Sequence, residues 1–209
     1  SADFSGQELR LLAHLSQEPE MIKALKEKKD LHAYSASLIY KIPYEDFFEY
    51  EDEARTIIKL EPDGSPVFID KMKKLRNATK ALVFGILYGM GPNKLADKLG
   101  ITIDEARDII RKYFEIFPKV KTLMDKLAAD VIKNKYAYSP LDGRKMFFWD
   151  LDWNHKGKVA HAQRQGQNFP FQGTGATTTK QALIYIDEKI KELKFDAQIL
   201  FAVHDKLLS

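Results

Sequence analysis

Cysteine is absent from this chain of 209 residues. Without thiols there is no disulfide framework and no thiolate metal site, so any metal must be held by oxygen or nitrogen ligands. Long apolar runs are missing as well. None approaches the ~20 residues that cross a bilayer as a helix, and no signal peptide opens the chain, which fits a cytosolic protein. No internal repeat or low-complexity linker marks a domain boundary. What remains is 44% hydrophobic and 30% charged, the balance of a globular protein. The length suits one large domain or two modest ones, with a real core in either case.

The formal net charge is only +3, but it is unevenly spread. Residues 1–70 hold 15 acidic and 8 basic side chains, and residues 71–209 hold 15 acidic and 25 basic. The later part therefore faces an anion, with nucleic acid as the leading partner. The acidic run from Glu45 to Glu53 reads as a solvated face. The basic cluster Lys71, Lys73, Lys74, Arg76 and Lys80 leads somewhere more specific.

Arg76, Lys80, Phe84 and Tyr88 lie four apart in the run RNATKALVFGILYG. Each step of four advances about 400° around an α-helix, so the four share one slowly drifting face. Two cations at one end and two rings at the other suit a polyphosphate followed by a base. A buried helix whose Arg and Lys snorkel outward would give the same pattern. Gly85 and Gly89 each weaken the helix by ~1 kcal/mol relative to Ala, which points to something approaching its backbone closely.

Around this helix, predicted at 69–89, others are expected at 7–14, 18–28, 30–40, 44–60, 92–99, 103–114, after Pro118, and at 173–193. Residues 61–66 form a turn by composition. Pro140-Leu141-Asp142-Gly143 reads as a hairpin turn between 136–138 and 145–149. Short strands are expected before Ser5 and from Ala197 to Val203. The ends fall inside apparent strands, as in an excised fragment. Asp3 and Asp205 sit at strand edges, and pairing of those strands would bring the two carboxylates together. Carboxylates that close repel unless divalent cations lie between them, an arrangement that also suits two-metal phosphoryl transfer.

Asp3-Phe4-Ser5-Gly6-Gln7-Glu8-Leu9-Arg10 resembles the first motif of family A DNA polymerases, the bacterial DNA polymerase I type. Arg76, Lys80, Phe84, Gly85, Tyr88 and Gly89 match the second motif of that family, and Val203-His204-Asp205 resembles the third. Arg164, Asn168, Pro170 and Gln172-Gly173-Thr174 are similar to the segment that follows the minor groove near the primer end. Asp30-Leu31-His32 and Gly143-Arg144 match lesser landmarks. The resemblance runs end to end, in order.

It implies an α+β fold in which mostly helical fingers (13–155) are inserted in a small antiparallel β palm (1–12 and 156–209). It implies template-directed addition of deoxynucleotides from dNTPs to a primer 3′ end, with two Mg²⁺ ions for which Mn²⁺ can substitute. Asp3 and Asp205 would be metal ligands, with the Phe4 carbonyl as a neutral one. Lys80 would neutralise the triphosphate and protonate the departing pyrophosphate, while Arg76 would hold the γ-phosphate end. Phe84 would pack on the incoming sugar and base, and Tyr88 near the templating base. Glu8 would be the steric gate against a ribose 2′-hydroxyl, although an acid in a first helical turn also simply suits the helix dipole. Gln7 and His32 join the nucleotide-binding set. Arg164, Asn168 and Gln172, again four apart, would follow acceptors shared by all Watson–Crick pairs, and His204 would position the primer terminus.

Two departures matter. The family usually carries Glu directly after His-Asp, where this chain has Lys206, a cation opposed to metal binding. Gly6 also departs from the usual pattern, with Gln7 and Glu8 kept in register. Thumb, exonuclease domain and the last palm strands are expected to lie outside this sequence, which would weaken its hold on primer–template DNA. The expected location is cytoplasmic at the nucleoid, or a host cytoplasm if virus-encoded, with no membrane partner. A non-catalytic DNA- or nucleotide-binding fragment and a single-subunit RNA polymerase relative are the competing readings. Phe84, Glu8 and the Gln172-Gly173-Thr174 segment speak against the second.

Overall fold

Helix starts fall where capping chemistry puts them. Asp30 accepts from the Ala33 amide at 2.8 Å and opens a helix at Leu31. Thr102 and Glu105 form a reciprocal capping box. Prolines occupy the first positions at 19, 92 and 118, where a missing N–H is harmless. The computed structural model describes residues 2–4, 6–197, 199, 201–203 and 206–208. Their order is β1 (Ala2–Asp3), α1 (Gln7–Ser16), α2 (Pro19–Lys26), α3 (Leu31–Tyr40), a 3-10 turn (Tyr44–Phe47), α4 (Asp70–Leu87), α5 (Pro92–Leu99), α6 (Ile103–Ile116) and α7 (Pro118–Asn134). There follow β2 (Tyr136–Tyr138), β3 (Lys145–Phe147), α8 (Lys156–Glu192), β4 (Phe201–Val203) and β5 (Lys206–Leu208). The fold is α+β, as expected.

The chain forms two compact units, residues 18–121 and residues 1–17 with 122–209. The stretch 122–155 falls in the same unit as α1 and α8.

Unit 18–121 is helical except for one segment. The helix expected at 44–60 is absent; after the 3-10 turn, isolated antiparallel bridges pair Phe48 with Phe68, Tyr50 with Ile58 and Leu60 with Pro66. The local periodicity explains this. Phe48-Glu49-Tyr50-Glu51 and Ile58-Lys59-Leu60-Glu61 alternate apolar and acidic or basic residues, a period of two rather than 3.6. Phe47 and Phe48 anchor the segment in a core with Ala33 and Ala36. Helix α3 is buried nearly all round, from Leu31 through Ser37.

In the other unit, α8 is one helix of 37 residues with Pro170 inside it, far longer than the expected 173–193. Proline and glycines that read as breakers are tolerated because tertiary contacts compensate. Gln163 and Gln167 donate to the Ala128 and Met124 carbonyls of α7, at 3.4 and 3.0 Å. Gly166 lets α7 come so close that an added Cβ would lie 2.0 Å from Val131 Cγ2. Strands β2 and β3 form the expected hairpin. The second sheet has order β1-β5-β4, all antiparallel. The strand expected from Ala197 to Val203 begins only at Phe201 among the described residues. Strand β5 lies between β1 and β4, so those two are not directly paired as expected.

Gly166→Ala should destabilise the chain by about 1–3 kcal/mol through overpacking. Val131→Ala in the same chain should recover part of that loss, making the double variant more stable than the sum of the single effects. Urea unfolding of the three variants checks this, and strict additivity would exclude the close approach as the cause.

Candidate functional site

Helix α4 buries Thr79, Leu82, Val83, Ile86 and Leu87. Arg76, Lys80, Phe84 and Tyr88 lie off that face. Tyr88 caps the helix and is 46% exposed, Lys80 is exposed, and Arg76 and Phe84 are half-buried. The stripe is therefore a surface, and neither aromatic is a core residue.

Arg76 is held in place. Its Nε and Nη2 donate to the two Asp30 oxygens at 3.1 and 2.7 Å, and its guanidinium carbon lies 4.8 Å from the centre of the Phe68 ring. Asp30 is itself the α3 cap, and its backbone N–H donates to the Tyr44 hydroxyl at 2.9 Å. Burial pushes the Asp30 carboxyl up, but the Arg76 hydrogen bonds and charge, with the Ala33 amide, outweigh it and leave the group below its ordinary value.

His32 follows on α3. It is 7% exposed, and its Nδ1 has no hydrogen-bond partner among the described residues. Its ring lies 6.0 Å from that of Phe84, and Lys80 Nζ lies 6.0 Å from the Phe84 ring centre. Burial, against the pull of Asp30 and with Arg76 and Lys80 adding repulsion, lowers the imidazole from 6.5 to about 4. His32, Arg76, Lys80 and Phe84 are thus brought together in one patch. The part played by Asp30 was not foreseen. Its signal was an N-cap residue directly before the Leu31-His32 pair.

At Gly85 the close approach expected is made by a residue of the chain itself. A Cβ at Gly85 would lie 3.1 Å from Met90 Sδ. Gly89 adopts φ 63° just past the helix end, where the Met90 N–H donates to the Gly85 carbonyl at 2.7 Å. The pair forms a left-handed helix stop.

The other unit carries the remaining residues. Gln7 Nε2 donates to the Gly175 carbonyl at 3.3 Å, tying α1 to α8. Glu8 and Phe4 are half-buried. Along α8, Arg164 and Gln172 are exposed, whereas Asn168 between them is 7% exposed. The polar row is interrupted at its centre. A network absent from the sequence reading ties the hairpin turn to α8: Arg144 Nη2 donates to the Gly173 carbonyl at 2.9 Å and to the Thr177 hydroxyl at 2.8 Å, and Asp142 pairs with Arg144 Nε. The Thr177 hydroxyl bond, with the Arg144 bonds, holds the Asp142 carboxyl far below its ordinary value.

His204 and Asp205 lie outside the described residues. Strand pairing places Asp3 opposite Lys206, the residue after Asp205 in the chain. Among the described residues no group of three or more His, Cys, Asp or Glu could hold a metal ion. A carboxylate pair with a backbone carbonyl is nevertheless an all-oxygen donor set, which suits a hard divalent cation.

The titration of this patch has a definite sign. His32 binds a proton more weakly folded than unfolded, so its contribution is complete above about pH 6.5 and is lost as pH falls toward about 4. Asp30 acts in the same direction at lower pH, its contribution lost as pH falls through its depressed folded value. His32→Gln should therefore flatten the stability profile between pH 6.5 and 4, as read from urea midpoints, while leaving the more acidic limb. An unchanged slope would show that His32 is not the titrating group.

Residues 1–60 and 66–209 match the family described as DNA polymerase family A. The thermostable DNA polymerase I of Thermus thermophilus is 33% identical over 206 residues, covering 99% of this chain and 22% of that protein. DNA polymerase I of Caldicellulosiruptor bescii is 31% identical over 207 residues, covering 99% of this chain and 21% of that protein. Among solved structures, the POL domain of Pol1 from M. smegmatis, in complex with DNA primer-template and dNTP, is similar with a TM-score of 0.80 at 29% identity. The match covers 98% of this chain and 32% of that one. This chain spans about a fifth of the length of the curated relatives it matches. With the second-motif residues gathered on one helix face, and with a match that leaves only residues 61–65 uncovered, the chain belongs to DNA polymerase family A.

Proposed function

We propose that this chain is the fingers and palm portion of a template-directed DNA polymerase, which adds deoxynucleotides from dNTPs to a primer 3′ end. The observation that carries the reading is the α4 face, where exposed Lys80 stands between the pinned Arg76 and the half-buried Phe84. Such a face offers fixed positive charge to a triphosphate and a ring to the sugar and base beside it. In this reading unit 18–121 is the fingers, and 1–17 with 122–209 the palm. The work would take place where DNA lies, in a cytoplasm.

Arg76 keeps Nη1 clear of the Asp30 pair, so it can meet the γ-phosphate without breaking that pair. Lys80 neutralises the phosphates and gives its proton to the departing pyrophosphate. The Phe84 ring packs on the incoming nucleotide, while exposed Tyr88 stands near the templating base. His32, neutral at physiological pH because of its burial, backs the Phe84 ring without adding charge. Gln7, fixed by Gly175, sets the pitch of α1 so that Glu8 fills the space of a ribose 2′-hydroxyl. Arg164 and Gln172 meet the minor groove, Asn168 lies buried between them, and His204 positions the primer terminus. Asp3, Asp205 and the Phe4 carbonyl would hold two Mg²⁺ ions, which supply Lewis-acid activation of the primer hydroxyl.

Primer extension with Mg²⁺ and all four dNTPs tests the reading, together with fluorescence titration of a labelled dNTP. Asp205→Ala should abolish extension and Lys206→Glu should raise it, because a carboxylate replaces a cation beside the metal ligands. Loss of dNTP binding by at least about tenfold is expected for Lys80→Ala, from one charge-assisted contact. Retained dNTP binding without extension in any variant would favour the non-catalytic alternative. Ribonucleotides used as readily as deoxynucleotides would remove Glu8 as the gate.

Phe84 lacks a hydroxyl that could stand in for a missing sugar 3′-hydroxyl. Phe84→Tyr should therefore improve use of dideoxynucleotides relative to deoxynucleotides. A competition assay reads this ratio, and no change would mean that Phe84 does not face the sugar.

A further inference from the structure

We propose that the outer face of the β2–β3 hairpin, with Trp149, is a binding site for single-stranded nucleic acid. Strand register pairs Tyr136 with Phe147 and Tyr138 with Lys145, so these four side chains share one face. The alternate residues Ala137 and Met146 turn to the core cluster of Val131 and Ala162. A hairpin of this kind ordinarily covers its outer face with polar residues. Here that face is aromatic.

The rings form a ladder. Trp149 stacks on Phe147 with centroids 4.4 Å apart and planes 13° from parallel. Phe147 meets Tyr136 at 5.4 Å, and Lys145 Nζ lies 4.6 Å over the Tyr136 ring. Trp149 is 77% exposed, Tyr138 48% and Phe147 42%. One face of the indole is covered by Phe147, and its area is otherwise left to water. Aromatic area left open in this way marks a place where something binds.

Beside the ladder lies a cleft of about 600 Å³, lined by Tyr136, Tyr138, Lys145, Leu123, Leu127 and Pro140. That volume falls in the range of sites that enclose a small ligand such as a nucleoside. Lys126 and Lys145 stand on its wall against a single carboxylate, Asp130. Lys133 and Lys135 are exposed close by in the chain, Lys135 with its Nζ 3.6 Å over the Trp153 ring.

Rings interleaved with lysines select the occupant. The cations here call for an anion at the edge of each stacking surface. Unpaired bases offer a π-face at every position and a phosphate between them, and sequence-tolerant stacking on aromatics is how single strands are held. A duplex hides its base faces and cannot use the ladder. The inference does not rest on catalysis at α4, because an oligonucleotide would stack on Trp149 whether or not the chain extends a primer.

The test uses the whole chain and an oligo(dT) of about twelve nucleotides, a length within the span of single-strand sites. The chain has two tryptophans, Trp149 and Trp153. Titration should quench the emission of Trp149, and Trp153→Phe should leave most of that quench in place. By anisotropy of the labelled oligonucleotide, Trp149→Leu should bind about tenfold more weakly, and Trp149→Phe should restore most of the affinity. Exposure of Trp149 makes both variants safe for folding, which far-ultraviolet circular dichroism verifies. Equal affinity of Trp149→Leu and the parent chain, or no binding at all, overturns the proposal. So does equal quenching by a blunt duplex, or a Trp149-dependent self-association in place of oligonucleotide binding. The dNTP titration separates this from the polymerase reading. Trp149-dependent binding of oligo(dT) without dNTP binding sinks only the latter, and dNTP binding with no Trp149 effect sinks only the ladder.

Discussion

The Asp30–Arg76 ion pair is the constraint on which the helical unit depends. One carboxylate closes the N-terminus of α3 through the Ala33 amide and grips α4 through two guanidinium bonds. Both partners are about a fifth exposed, so the pair keeps more of its Coulomb attraction than a surface bridge would. Removing the carboxylate would strand a helix N-terminus and a half-buried cation together, a loss of about 2–4 kcal/mol by the usual cost of breaking charged hydrogen bonds. The pair also fixes the register between α3 and α4. His32 comes against Phe84 and Lys80 takes its place at the patch because of that register.

The same arrangement settles which groups carry charge. Asp30 stays ionised because Arg76 outweighs its burial, and His32 stays neutral because burial and two nearby cations outweigh Asp30. A patch of three cationic or potentially cationic groups thus keeps two full charges at neutral pH, one of them already paired with the Asp30 carboxylate. Lys80 is left as the exposed cation of the face.

In the other unit, close packing replaces electrostatics as the organiser. Absence of a Cβ at Gly166 lets α8 lie on α7, and two glutamine side chains of α8 then reach α7 carbonyls. The Asp142–Arg144–Thr177 network clamps the hairpin turn to α8. With the inner hairpin face committed to the core and its turn clamped, Tyr138, Phe147 and Trp149 on the outer side stay exposed among the described residues. A stacked Trp149 and Phe147 is the result.

Local chemistry was readable wherever it acts within a few residues. The period of four in Arg76-Lys80-Phe84-Tyr88, the helices at 92–99 and 103–114 and the 136–147 hairpin all depend on neighbours in the chain. The motif residues carried the family for the same reason. The period-two run at 48–60 was legible too, but its charged residues disguised it as a helix. Tertiary structure alone decided that α8 runs unbroken through Pro170, because contacts with α7, α1 and the hairpin offset a lost hydrogen bond. It alone decided that Asp30 holds Arg76, that Gly85 makes room for Met90, and that β5 takes the centre of its sheet. Each of these joins groups far apart in sequence, or weighs burial against charge, and neither separation in space nor burial is written in the order of residues.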